Sequence, residues 1–419
     1  MADDDDFQQS ISDGGTDAAV DSADGDSVTE TTETSWFSRL GRALVGVLIG
    51  IVLIVGGVTL LAWNEGRSVT AARSLTEGRG AAIDVDAAMP VAANEGRLVH
   101  VVGLAATGSD LTDPDFGVAA KALVIVRKVE MFQWEQHEET TTQKQVGGGE
   151  AKTKTYSYAK IWSARPIDSS GFRQPLNHSN PPFALPERTF AAKDATLGGF
   201  ALREALLSSL AAIVPMAVDA SVLPKIQAKL GRPATQIDNA VFVGVNAALP
   251  QIGDLRLSYT MAPVGNVTVV ARQSGSGFAG YQTKAGDVID TIRTGRLSIG
   301  EVFADLEQEN AILTWLIRGG GTLATLVGFV LILAPLSVFA DFLPILGSIV
   351  GFGAFLMALS LTLVVAPLVI AIAWFAFRPL LAVTILVVGV VIAGALRWLA
   401  SSRRRIAAPV GPPPAQART

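Results

Sequence analysis

Apolar residues in this chain concentrate in two blocks. Ala43 to Trp63 (ALVGVLIGIVLIVGGVTLLAW) carries no charge over about 21 residues, the length a helix needs to cross ~30 Å of hydrocarbon. Arg39 and Arg42 precede it, Trp36 and Trp63 bracket it as interfacial anchors, and Asn64-Glu65-Gly66-Arg67 is expected to end it. The length of the run, the acidic stretch before it and the missing A-x-A site make it a retained anchor rather than a cleaved signal peptide. The second block supplies a span at Trp315–Phe339, closed by Asp341 and Pro344. Phe342–Phe377 follows, uncharged for about 36 residues and too long for one untilted crossing, so it is one span with an interfacial stretch or two crossings. Arg378-Pro379 sets off the last span, Leu380–Leu399. Arg39 and Arg42 at one end and Arg397 and Arg403 to Arg405 at the other put both termini in the cytoplasm. That requires an even number of spans, so four are expected, one before and three after an extracytoplasmic domain at 64–314.

Within that domain the period changes. Arg97–Thr107, Leu123–Glu135 and Lys152–Ala164 alternate and are rich in β-branched and aromatic residues, so they read as strands. The bridge Gln145–Glu150 (QVGGGE) makes a hairpin of the last two. Leu197–Ile213 and Ser221–Leu230 read as helices, and Ala240–Val245, Asp254–Met261 and Val264–Gln273 as strands, the last two expected to pair through Ala262-Pro263. Ser298, with Glu301 three residues on, starts a helix that runs into the second span. The fold class is α+β, a multi-pass helical membrane protein with a β-rich α+β domain outside the bilayer.

Composition adds little chemistry. Residues 1–35 hold Asp3 to Asp6 and no Lys or Arg, and are expected to be a disordered acidic tail; 400–419 is a basic, Pro-rich tail. A net charge of −5 without a basic patch in the middle of the chain gives no reason to expect a nucleic-acid partner, and the absence of cysteine removes disulfides and thiolate chemistry. His100, His137 and His178 stand apart at spacings that suit no metal site, and no nucleophile elbow, phosphate loop or dinucleotide fingerprint occurs, so neither an enzyme nor a cofactor is expected. Two features remain. Gly46-x3-Gly50 and Gly347-x3-Gly351 have the spacing that lets helix backbones approach, between copies or within one chain. Phe132 and Trp134 share one face of a strand, as core or as a surface for a partner or the lipid.

The residues resemble the transmembrane protein 43 (LUMA) family. The resemblance is carried by Trp63-Asn64-Glu65-Gly66-Arg67, by Leu111-Thr112-Asp113-Pro114-Asp115-Phe116-Gly117-Val118, and by Arg127-Lys128-Val129-Glu130-Met131-Phe132-Gln133-Trp134-Glu135. It continues through Gly253-Asp254-Leu255-Arg256-Leu257-Ser258-Tyr259 to Arg378-Pro379-Leu380 and covers nearly the whole chain after residue 36. It implies the arrangement of one plus three spans, no enzymatic activity, and a self-associating scaffold that organises a membrane or envelope. The expected partners are the lipid bilayer, a second copy of the chain and an unidentified protein. The alternatives are an envelope-stress sensor and, further off, a transporter or channel; the latter is disfavoured because every ionisable group sits near a span end. Missing cysteine and heavy Ala, Gly and Val usage suit a bacterial plasma membrane, whereas a eukaryotic member would sit in the endoplasmic reticulum or inner nuclear membrane.

Overall fold

The computed structural model describes residues 20–21, 27–183, 185–377 and 387; the expected fourth span at 380–399, the tail at 400–419 and most of the acidic segment lie outside the described residues. The described helices of four or more residues are α1 (Trp36–Ala81), α2 (Glu204–Leu207), α3 (Leu223–Leu230), α4 (Ile299–Ala340) and α5 (Pro344–Phe377). Of these, α1, α4 and α5 are long and apolar enough to cross a membrane. α1 does not stop at Asn64–Arg67 as expected but continues to Ala81, 46 residues in all. Glu and Arg are good helix formers, so the end of the apolar run need not end the helix, and Asn64 and Glu65 are buried against neighbouring helices. α4 begins as expected: the Ser298 hydroxyl accepts from the Glu301 N–H while the Glu301 carboxylate accepts from the Ser298 N–H. Phe342–Phe377 is one continuous helix from Pro344 onward, about 51 Å long at 1.5 Å per residue, with no turn at which it could double back for a second crossing.

α1 and α4 run antiparallel along their lengths. The buried positions Gly46, Gly50, Gly57 and Leu61 share one face of α1. A Cβ built on Gly50 would lie 2.6 Å from the Gly328 carbonyl oxygen, and one on Gly57 2.6 Å from Thr325 Oγ1. Backbones this close tolerate no side chain between them. Gly50 is therefore used inside the chain, whereas a Cβ on Gly46 would make only an ordinary contact with the Leu331 side chain at 3.7 Å. Gly347 lies against Asp341 at the turn between α4 and α5, whereas a Cβ on Gly351 would make only an ordinary contact with Ser337 at 3.6 Å.

The domain is built on two main sheets. In the larger, Ser27–Thr34, Glu150–Ser163, Ala122–Lys144, Leu255–Pro263, Ala240–Val243 and Ala234–Ile237 follow one another, all antiparallel. The smaller centres on Gly265–Ser274, between Leu98–Ala106 and Thr291–Thr294. Apolar side chains between the sheets, among them Val101, Leu123, Leu207 and Val269, form the main core, and Phe303 of α4 joins Leu98 and Val270 in a smaller one. Three expectations change. Ser27–Thr34 is not part of a disordered tail: its Thr and Val residues add to the edge of an existing sheet and bury Val28, a gain that net charge does not register. Leu197–Ile213 is helical only over α2, because Gly198 and Gly199 turn the chain between two short strands and Gly199 N–H bonds Ala87 O. Leu255–Pro263 and Gly265–Ser274 are not a hairpin; with a register shift at Ala262/Pro263, the chain passes from one sheet to the other.

The hairpin expected at Gln145–Glu150 exists and is longer than its sequence signal. Its strands, with Ser27–Thr34 beside them, form a polar arm whose tip turns at Gly147 and Gly148, both at positive φ. That tip meets the N-terminus of α1 and the turn after α4. Arg39 donates to Gly148 O (2.6 Å) and pairs with Glu150 (2.8 Å) and Asp341; Lys144 pairs with Asp341 (2.6 Å); and Trp36 Nε1 donates to Val338 O (2.8 Å). A bilayer around the apolar stretch of α1 would thus enclose the arm as well. His137–Lys144 are exposed and neither face of the ribbon is apolar, so the arm has no place in hydrocarbon either as a lone ribbon or as barrel wall. The latched arm and fully lipid-embedded spans exclude each other. Thr34→Cys with Glu150→Cys, a registered pair in a chain without other cysteines, is expected to crosslink in detergent and not in intact membranes. Complete crosslinking in membranes would refute the crossing of α1.

Candidate functional site

The densest polar cluster near the spans sits where they enter the domain. Asn310, Thr314 and Arg318 recur every four residues on one face of α4, opposite Asn64, Glu65 and Arg67 of α1. Glu65, 1 % exposed, accepts from Arg318 Nε (2.7 Å) and Nη2 (2.8 Å) and from the Trp374 indole of α5 (2.7 Å). Arg318 lies over the Trp315 ring, 4.8 Å from its centroid. Asn64 Nδ2 donates to Thr314 O (3.1 Å), and Arg67 reaches Asn310 Oδ1 (3.1 Å) and Thr314 Oγ1 (2.9 Å). Arg73 donates to Phe377 O at the end of α5 (2.7 Å), and Phe377 packs on Gly66. One carboxylate therefore ties three helices together where hydrocarbon gives way to water. A bidentate Arg–carboxylate pair with an indole N–H as third donor fixes angle as well as distance. It is an arrangement for holding helices, with no nucleophile or free base in it.

The other sequence motifs lie in the domain. Arg127, 1 % exposed, pairs with Asp113 (2.8 Å) and Asp115 (2.9 Å), while the Tyr259 hydroxyl donates to Asp113 (2.8 Å) and Lys229 of α3 pairs with Asp115. The hydrogen bonds from Lys229 and Arg127 pull the Asp115 carboxyl down to about 2. Burial lowers the Arg127 guanidinium, but Asp115 and Asp113 more than offset it and leave it above its ordinary value. Burial, with Asp113 beside it, pushes the Tyr259 phenol up. Phe132 and Trp134 share a face, as their alternation requires, and both are half-buried. Phe132 packs on Trp162 (5.2 Å), and Trp134 on His178 (4.6 Å) and under Lys160. His178 is buried and stacked on Tyr158, His100 bonds Asp84, and His137 pairs with Glu135 at the surface. No group of three or more His, Asp or Glu residues placed to hold a metal occurs among the described residues.

The pairing of Arg318 with Glu65 is not legible in the sequence. The four-residue spacing of Asn310, Thr314 and Arg318 was the available signal; the partner helix was not, because it lies some 250 residues away in the chain (|i−j| 253 for Glu65–Arg318).

Fold and junction together define a multi-pass membrane protein whose α+β domain is continuous with its span helices. The sequence model of the family described as Transmembrane protein 43 matches residues 131–379. Transmembrane protein 43 of Rattus norvegicus is 32 % identical over 372 residues, 84 % of this chain and 90 % of the relative. The Homo sapiens protein is 31 % identical over 377 residues (85 % and 91 %), and the Drosophila melanogaster homolog 30 % over 356 residues (82 % and 91 %). The chain belongs to the transmembrane protein 43 family, as its motifs led us to expect. No solved structure matches it. These relatives are animal proteins and lend no support to a bacterial plasma membrane.

Two outcomes follow for these clusters. Glu65→Ala or Arg318→Ala alone leaves a buried charge without its partner and is expected to cost about 3–5 kcal/mol, with the double substitution recovering part of it; a thermal-melt double-mutant cycle in detergent measures the coupling. For Asp115, the folded pKa lies below the ordinary ~3.9, so its stabilisation is present above that pH and is lost as pH falls toward 2. Asp115→Asn is expected to lower stability at neutral pH and flatten its decline between pH ~4 and ~2 in acid titrations followed by circular dichroism.

Proposed function

We propose that the protein is a non-enzymatic membrane scaffold, holding its domain at a fixed height and angle over the bilayer and presenting it to a second copy or another protein. The observation that carries this reading is the unbroken passage of α1 and α4 from the apolar stretch into the domain, where Gly78 of α1 packs on Phe303 of α4. Two continuous helices, locked by Glu65, Arg318 and Trp374, allow less independent motion than two flexible linkers would. Both termini lie on the cytoplasmic side and the domain on the other, from the flanking Arg residues. Its animal relatives favour the endoplasmic reticulum or the nuclear membrane as the site of this role.

A sensor is the second reading, favoured by the arm. Its latch of Arg39, Asp341, Lys144 and Glu150 joins the end of the spans that would face the cytoplasm to a strand of the domain. A transporter is disfavoured by the geometry of the ionisable groups: Glu65 and Arg318 satisfy each other at the junction.

Self-association is tested by the mass of the protein in nanodiscs, with Gly50→Leu and Gly351→Leu beside wild type. Gly50→Leu drives a side chain into the α4 backbone, so it is expected to destabilise each chain by roughly 1–3 kcal/mol whatever its oligomeric state. At Gly351 an added Cβ meets only Ser337, at an ordinary 3.6 Å, so Gly351→Leu is expected to perturb the fold less than Gly50→Leu. A discrete wild-type oligomer that Gly351→Leu dissociates places the contact on α5. A wild-type monomer refutes self-association.

A further inference from the structure

A groove of about 620 Å³ opens between the two sheets beside α4. Its floor is core: Leu123, Leu210, Val267 and Ile292 are all 6 % exposed or less. Its rim carries Ile213, 76 % exposed, an apolar side chain standing in water at a pocket mouth. The α4 positions that border the groove, Asp305 and Glu309, lie on a helix face that continues through Ile312 and Leu316, 53 % and 68 % exposed. Along that face Glu309 stands about 9 Å before Trp315, where the apolar stretch begins, at 1.5 Å per residue. The interfacial layer on each side of a bilayer is of similar depth, roughly 5–8 Å. The apolar surface of α4 thus reaches Ile312, one helical turn short of Glu309 at the mouth of an apolar groove just above the headgroups.

We propose that the groove holds an acyl chain of a zwitterionic phospholipid that has risen along α4 from the adjoining leaflet. The volume lies in the range of small-molecule sites, about 300–1,000 Å³. The chain is the occupant because the floor is apolar and its mouth opens within one helical turn of the surface already in lipid. Charge selects the headgroup. Asp305 and Glu309 against Arg293, which pairs with Glu309 at 2.8 Å, leave the mouth with an excess of one negative charge. That opposes a free fatty acid or an anionic headgroup and suits a zwitterionic one whose outer group is an ammonium cation, such as choline. The inference rests on the reading that the domain stands on the bilayer, and it adds a ligand by which the domain would sense or hold that surface.

The test uses the full chain in phosphatidylcholine nanodiscs doped with a phosphatidylcholine bearing a diazirine on its acyl chain, with adducts mapped by mass spectrometry. Adducts are expected on residues 209–214 and 292–297 as well as on the spans. Ala211→Trp, which fills the groove from its exposed wall, is expected to reduce the groove adducts severalfold and leave the span adducts unchanged. Adducts confined to the spans, or groove adducts that Ala211→Trp does not change, overturn the proposal while the membrane reading stands. Loss of span adducts as well would mean that the membrane reading itself has failed. Equal groove labelling by a phosphatidylserine probe overturns the choice of headgroup.

Discussion

Glu65 is a carboxylate with 1 % exposure one helical turn from the lipid-facing end of its span. A charge in that position costs several kcal/mol unless it is met on all sides, and three donors from two other helices meet it. The requirement works outward. For Arg318 to reach Glu65, α4 must lie antiparallel to α1 in one register; for Trp374 to reach it, α5 must return to the junction. The glycine seam that brings Gly50 against Gly328 and Gly57 against Gly321 is the apolar half of the same constraint, since dispersion between helices in lipid needs close approach. Polar and apolar contacts thus agree on one arrangement of three helices.

That arrangement sets where the domain stands. Because α1 and α4 enter it without a break, the domain inherits the register of the spans, and its smallest core is formed where Phe303 of α4 meets Leu98 and Val270 of the sheet. Inside the domain, the buried ion cluster around Arg127 uses the same economy: Asp113 and Asp115 meet its guanidinium, while the Tyr259 phenol and Lys229 in turn hold those two carboxylates. The motifs that carry the family resemblance fall largely in these two clusters. Their chemistry is that of holding parts of the chain together.

The arm introduces a tension that the rest of the molecule does not have. Its latch at Arg39 and Asp341 is well built, yet it lies at the end of the spans away from the domain, and the ribbon between is polar on both faces. Membrane and latch compete for the same space.

Much of this was legible in the chain. Uncharged runs of span length, the Ser298–Glu301 cap and most long strands follow from local rules, because burial in lipid and two- or 3.6-residue periodicity act on neighbours in sequence. Phe132 and Trp134 were placed correctly on one face for the same reason, while their coverage by Trp162, His178 and Lys160 was not visible. What the sequence could not decide were matters of partner: that Gly50 serves α4 rather than a second chain, that Ser27–Thr34 joins a sheet, that Leu255–Pro263 and Gly265–Ser274 part company, and that Glu65 and Arg318 are one feature. Each depends on residues far apart in the chain, and only the tertiary structure supplies the neighbour that makes a buried charge tolerable or a glycine necessary.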